Sequence, residues 1–361
     1  MKYIDEFRKE NPVHRLSEEI HKRCQGKKMT FMEVCGTHTM SIARYGIREL
    51  LPKTIELISG PGCPVCVTPN RIIDTAVSLA RVKDVIIATF GDMMKVPGSS
   101  SSLENERSQG RDVRVVTSTM EALSIASRNP DKKIIFIGVG FETTAPTIAA
   151  SVLEAREKNL SNYYIVCAHK LIPPAMETLS RGEVNIDGYI CPGHVSAVIG
   201  SEPYRFLAEK YGIGCVVSGF EPSDILQSIL MLVNQIVNEE AKVEIQYKRV
   251  VKPEGNRAAY EIMMSVLEPC DSDWRGIGMI PDSGLKLRDE FSDMDAVEQI
   301  PVDIEPLREQ KGCICGKILQ GMAKPFDCVH FGKSCTPENP IGPCMVSSEG
   351  TCAAYYKYQR R

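Results

Sequence analysis

The sequence has no long apolar run. Nothing in it approaches the ~18 consecutive apolar residues of a membrane span, and mean hydropathy is −0.14. It has no excess of either charge: Lys plus Arg number 43 and Asp plus Glu 46, for a net charge of −3. That balance gives no electrostatic case for nucleic acid or for an anionic membrane. The N-terminus, MKYIDEFRKENP, lacks the apolar centre of a signal peptide, so a cytoplasmic protein is expected. Biased composition is missing too, since 43% of residues are apolar and 25% charged, the ordinary globular range. Disorder is thereby excluded for most of the chain, and 361 residues leave room for two or three domains.

What the chain does have is cysteine, 14 of them without an export signal. In a reducing compartment such usage points to metal or redox chemistry rather than structural disulfides. Six of the 14 (Cys313, Cys315, Cys328, Cys335, Cys344 and Cys352) fall in the last 49 residues. That stretch is rich in Pro and Gly and poor in apolar periodicity, so it reads as a small module held by a metal centre.

From residue 29 onward, apolar strands alternate with amphipathic helices. Examples are the continuous apolar run VIIATF (85–90) and the helical pattern NRIIDTAVSLARV (70–82). Alternation of this kind implies βαβ units and parallel sheets. The expected architecture is α/β: two tandem doubly wound parallel-sheet domains plus a Cys-rich C-terminal iron–sulfur module. The expected divisions are a helical segment at 1–27 packing with the tail, domains at 28–129 and 130–241, a connecting segment at 242–312 and the module at 313–361. The turn Asn129-Pro130-Asp131 marks the boundary between the domains. Residues 91–112, containing GSSSS, read as a mobile polar loop, and 270–312 as irregular.

The distinctive motifs fall directly after predicted strands, where open α/β sheets bind ligands. Cys35-Gly36-Thr37-His38 follows 29–34, and Gly60-Pro61-Gly62-Cys63-Pro64-Val65-Cys66 follows 54–59. Gly91-Asp92, Gly140-Phe141-Glu142-Thr143-Thr144 and Cys191-Pro192-Gly193-His194 have the same placement. Cys35 precedes a helix N-terminus, whose partial positive charge favours a thiolate, and His38 lies three residues on. The alternative is a buried small hydrophobe beside a capping histidine. Cys63 and Cys66 form a C-x-x-C on a rigid, exposed loop, suited to a dithiol couple or to two metal thiolates. Glu142 is either a catalytic or supporting carboxylate or part of a helix start; no Walker lysine follows it. In the tail, Cys313-x14-Cys328-x6-Cys335-x16-Cys352 supplies the four thiolates of a [4Fe–4S] cluster. Cys315 and Cys344 are spare, and zinc with His330 stays open, although no C-x-x-C knuckle occurs there.

At these motifs the chain resembles the HypD family of [NiFe]-hydrogenase maturation proteins. The likeness runs through EVCGTHTMSIARYGIRELLP (33–52), GPGCPVCVTP (60–69), GFETTAPT (140–147), CPGHVSAVIG (191–200) and PFDCVHFGKSCTPENPIGPCMVSSEGTCAAYYKY (325–358). The resemblance implies a scaffold on which the Fe(CN)₂CO group of the hydrogenase site is assembled. It implies two partners, a HypC-type small chaperone and a HypE-type cyanide donor, with the chain otherwise monomeric. It assigns Cys35 as an iron thiolate with His38 beside it, and Cys63 and Cys66 as a dithiol pair or transient ligands. Glu142 and His194 match family motifs, and Glu142 joins the expected catalytic set. Cys313, Cys328, Cys335 and Cys352 would hold a [4Fe–4S] cluster, and the cargo would be Fe(II) carrying CN and CO. A thiol–disulfide oxidoreductase with an iron–sulfur tail is the competing expectation.

Overall fold

The structure is a computed structural model describing residues 10–308 and 310–359. Strands β1 (Met29–Glu33) and β2 (Ile55–Ser59) come first. They are followed by β3 (Val85–Thr89), β4 (Val113–Val115), β5 (Lys133–Gly138), β6 (Tyr163–Cys167) and β7 (His169–Lys170). Then come β8 (Gly188–Pro192), β9 (Gly214–Ser218) and β10 (Val243–Ile245). The antiparallel pair β11 (Leu267–Trp274) and β12 (Gly278–Leu287) ends the series. Helices fill most of the connections between parallel strands, as alternating patterns require.

Two sheets are wholly parallel, in the orders β10-β9-β8-β1-β2 and β4-β3-β5-β6. A third, β11-β12-β7, is antiparallel. The parallel α/β class was legible, but the tandem division was not. The first sheet combines residues 29–59 with 188–245, and the second, built from 85–167, interrupts it. Strand pairing therefore crosses the division expected between 28–129 and 130–241. Asn129-Pro130-Asp131 is only the turn between the helix Thr119–Arg128 and β5. An apolar strand buried on both faces carries no mark of its neighbour, so composition shows the class and not the order.

Side chains alternate faces along each strand and divide the interior into three cores. Phe31 points with Leu57, Ile190 and Ile229 into one, whereas Met32 joins Ile58, Cys191 and Val217 in another. Ile87, Ile135 and Val166 of the second sheet enter this same second core, while Ile86, Ile134 and Phe136 face a third. One core is thus shared by both parallel sheets. Ile318, Leu319, Cys344, Met345 and Cys352 of the tail belong to it as well, so the tail is not set apart from the sheets.

Three local expectations are corrected. The described part of the N-terminal segment, the helix Glu10–Arg23, packs on the helix Pro222–Val237 and not on the tail; Arg23 Nε donates to Asn234 Oδ1 at 2.8 Å. Its apolar stripe, with Ile20 fully buried, meets the longer apolar face of that helix. Pro12 lies in its first turn, where no N–H partner is needed, and does not break it. The loop 91–112 is tied down: Ser102 caps the helix Leu103–Ser108, Arg81 Nη2 meets Glu106 at 2.9 Å, and Ser99 N donates to Asp74 at 2.7 Å. Residues 267–287 form the β11–β12 hairpin, disguised by Asp271, Asp273 and Asp282 on its outer face and by Pro269 and Pro281. The hairpin's Trp274 is fully buried, stacks on Phe141 at 6.1 Å and donates to Ser283 Oγ at 2.8 Å. No helix among the described residues is long and apolar enough to cross a membrane.

His169 joins this hairpin to the second sheet, since Leu285 pairs with it in register and Gly138 lies against its ring. It is buried, neither ring nitrogen has a partner among the described residues, and burial pushes its pKa down to about 4. The unfolded chain binds this proton near pH 6.5 and the native chain does not, so stability is lost as pH falls. By pH 5 the loss from this group should be on the order of 2 kcal/mol. His169→Leu should therefore flatten the fall in Tm between pH 7 and pH 5; an unchanged slope would exclude this account.

Candidate functional site

Strand order reverses between β1 and β8 in the first sheet and between β3 and β5 in the second. Such switch points open crevices at the carboxyl ends of their strands. Cys35 follows β1, His194 follows β8, Asp92 follows β3 and Glu142 follows β5. The expected clustering at strand ends is what the topology produces, by a route that tandem domains would not have given.

Cys35 is the N-cap of the helix Gly36–Arg44. Gly36 N donates to Gly62 O at 2.9 Å, and a Cβ on Gly62 would lie 2.2 Å from Cys35 N, so only glycine lets the two motif loops touch. Cys63 caps the short helix Pro64–Val67, its sulfur accepting from Cys66 N at 3.3 Å. The helix end does not make Cys35 a thiolate. Burial pushes its pKa up to about 12, and the Glu349 carboxylate adds to the effect. Nor is the C-x-x-C exposed: Cys63 is 3% and Cys66 0% accessible, and burial raises the Cys66 thiol as well.

His38 Nε2 lies 3.0 Å from Gly219 O, which accepts only, so Nε2 carries the proton and Nδ1 keeps its lone pair. Nδ1 is buried without a partner, and burial pushes the pKa down to about 4, which keeps the ring neutral at pH 7. The Phe220 ring lies between two histidines, 4.8 Å from His38 and 4.1 Å from the exposed His194. The tail spans both sheet edges here. Thr37 Oγ1 donates to Glu349 at 2.6 Å, and Ser347 Oγ donates to Asp92 Oδ2 at 3.0 Å.

The remaining cysteines join the C-x-x-C to the tail. Cys66 Sγ donates to Pro343 O at 3.9 Å, beside Cys344, and Cys344 interacts with both Cys66 and Cys315. These interactions hold Cys344 below the usual thiol range, at about 6. The Sγ atoms of Cys313 and Cys315 are 3.2 Å apart, and Cys352 also interacts with Cys315. The two spare cysteines are therefore the link between the other sets, which sequence spacing could not show because both partners are distant in the chain.

Cys313, Cys315, Cys328, Cys335 and Cys352 line one small apolar cavity. Its wall includes Gly342, where a Cβ would stand 2.6 Å from the sulfur of Cys315 and 2.7 Å from that of Cys313. Ile341 N donates to the Cys335 sulfur at 3.3 Å. A thiol-lined apolar cavity with its wall held back at Gly342 fits the all-sulfur donor set of an iron–sulfur cluster. His330 does not fit a zinc site. Its Nε2 meets Lys311 O at 3.0 Å and its Nδ1 meets Ser334 Oγ at 2.8 Å, leaving no free lone pair. Among the described residues, no group of three or more His, Cys, Asp or Glu side chains is placed to hold a single metal ion.

Glu142 is buried in the loop after β5. One oxygen accepts from Ile172 N at 2.9 Å, the other is buried without a partner, and burial lifts the pKa to about 7. The sequence reading missed Glu349, whose partner Thr37 lies 312 positions away, and found no use for Phe220.

Comparison with known proteins adds the lineage. The HypD family model, described as the hydrogenase formation hypA family, matches residues 11–359. A relative in Methanocaldococcus jannaschii, named as a hydrogenase expression/formation protein, is 47% identical over 350 residues, spanning 96% of this chain and 95% of its own. Hydrogenase maturation factor HypD2 of Bradyrhizobium diazoefficiens is 45% identical over 372 residues, 100% of this chain and 97% of its own. Hydrogenase maturation factor HypD of Cupriavidus necator is 44% identical over 370 residues, 100% and 98% respectively. With its motifs at the sheet edges and its likeness running end to end, this chain belongs to the HypD family of hydrogenase maturation factors.

Proposed function

We propose that the chain is a scaffold on which the Fe(CN)₂CO group of a [NiFe] hydrogenase is assembled, working in the cytoplasm with a HypC-type small chaperone and a HypE-type cyanide donor. The observation that carries this reading is the continuity of sulfur. Cys35 touches the loop of Cys63 and Cys66, Cys66 meets Cys344, and Cys344 meets Cys315 at the wall of the tail cavity.

The iron cargo arrives as substrate at Cys35. A thiol held near 12 stays protonated and unreactive until a cation replaces its proton, so the residue discriminates between an empty and a loaded site. His38 offers Nδ1, a neutral lone pair in the same loop, either to take that proton or to hold the cargo. Soft sulfur and imidazole donors suit low-spin Fe(II) carrying diatomic ligands. Cys313, Cys328, Cys335 and Cys352 would hold the resident [4Fe–4S] cluster, with Cys315 beside it. When bound, such a cluster supplies single electrons. Cys315 and Cys344 place a thiol pair between that cavity and Cys66, and Cys63 supports Cys66 by accepting its N–H.

The thiol–disulfide oxidoreductase reading is disfavoured by burial. A nucleophilic thiol that serves protein disulfides must be reachable, and Cys63 and Cys66 are not. Turnover in an insulin-reduction assay should be negligible, whereas rapid thioredoxin-like turnover would reinstate that reading.

Two variants test the assignment. In Cys66→Ala, anaerobically prepared protein should keep its brown colour and its iron and sulfide content, yet lack the infrared bands of bound CN and CO; normal bands would sink the role of Cys66. In Gly342→Ala, the added methyl presses on two sulfurs, and iron retention against a chelator should fall roughly 10-fold. Unchanged retention would place the cluster elsewhere.

A further inference from the structure

The tip of the β11–β12 hairpin is wedged into the sulfur chain, and nothing in the proposed chemistry has yet used it. Arg275 N donates to Val67 O at 2.9 Å and Arg275 Nε to Thr68 O at 2.8 Å, so this one residue closes the end of the helix that carries Cys66. The next residue does the same for the tail. A Cβ on Gly276 would lie 2.1 Å from Gly316 Cα, and Gln320 Nε2 donates to Gly276 O at 2.6 Å. Gly316 follows Cys315 directly. The hairpin tip therefore bridges the two ends of the Cys66, Cys344, Cys315 chain.

The guanidinium at this bridge has no carboxylate partner among the described residues, unlike Arg81, Arg114 and Arg249, each of which has one. Its Nη2 is buried without an acceptor. The groups that feel its charge are the thiols of Cys315, Cys344, Cys313 and Cys66. Arginine does not deprotonate in proteins, and a half-buried cation with one nitrogen closed off is stabilised by a nearby anion. The anions available here are sulfur.

We propose that Arg275 is the counter-cation of this sulfur chain, a positioning residue that favours its reduced form over the disulfide. A disulfide within the set Cys66, Cys344 and Cys315 is neutral. On taking up two electrons and one proton it becomes one thiol and one thiolate, and the thiolate is the charge that the guanidinium compensates. The inference rests on the reading of these cysteines as a redox-active set and adds the residue that sets its poise.

The test is an anaerobic redox titration of the full-length, cluster-loaded chain in reduced and oxidised dithiothreitol. The buffer's dithiol closes to its cyclic disulfide as the protein disulfide opens. Alkylation and mass spectrometry read the fraction of each cysteine that is free. In R275Q the equilibrium constant should move at least about 10-fold toward the disulfide, or about 30 mV for two electrons. R275K keeps the charge and should stay within about 3-fold of the parent, at most about half the effect of losing it. If R275Q proves unstable, R275M, which keeps the packed aliphatic stem, carries the same expectation. Equal constants for the parent, R275K and the neutral variant would overturn the role of Arg275 and leave the redox reading standing. A parent chain with no disulfide in this set at any poise would overturn both.

Discussion

The sulfur chemistry of this protein depends on one packing arrangement, the seating of the tail in the core shared by the two parallel sheets. The tail is too short and too rich in turns to bury its own apolar residues. Ile318, Leu319 and Met345 solve this by entering the core that Met32, Ile58, Ile87 and Ile135 already line. Each such side chain removed from water contributes roughly 1.5–3 kcal/mol, enough for a few of them to hold a segment without regular structure. Their burial brings Cys344 against Cys66 and Cys315, and the Ser347–Glu349 segment against both sheet edges. A tail tethered by a linker would have the same cysteines and none of these contacts.

Burial has an electrostatic consequence that orders the site. In a low-dielectric interior the neutral form of each group wins, which is why Cys35 and Cys66 are pushed up and His38 is pushed down. The resting site therefore holds protonated thiols at Cys35 and Cys66 and a neutral imidazole at His38, with Cys344 the one sulfur inclined to the thiolate. Charge enters it only in company: a cation at Cys35, or a thiolate where Cys315, Cys66 and the Arg275 guanidinium can stabilise it. Cys344 is the exception, held low by its interactions with Cys315 and Cys66 against the effect of burial.

Most of this was legible in the residues at a coarse level and illegible at a fine one, for identifiable reasons. Continuous apolar runs such as Val85–Thr89 announced parallel strands, and motif loops after strands announced a site at the sheet edges. The insertion of the second sheet between β2 and β8 was hidden, because Phe31 would pack equally well beside Gly188 or beside another glycine-containing strand. The β11–β12 hairpin was hidden by its exposed aspartates, which read as loop. The helix-end argument for a Cys35 thiolate failed because a half-charge at a helix terminus is worth about 0.3–1 kcal/mol, whereas full burial of a thiolate costs several times that. Cys315 and Cys344 looked spare because their partners are set by folding and not by spacing.

Accessibility falls steadily across the site. His194 is exposed, Cys35 is 8% accessible, Cys63 is 3% and Cys66 0%. This gradient fixes the order in which an incoming group would meet the sulfurs. On the proposed reading, a partner protein presenting iron would reach the rim, where Cys35 and His194 lie, but not the dithiol behind. The proposed scaffold would need that separation, because a dithiol open to solvent would exchange with any disulfide it met and lose its poise before the cargo arrived. On that reading, burial of Cys66 between the shared core and Pro343 would serve the function as well as the fold.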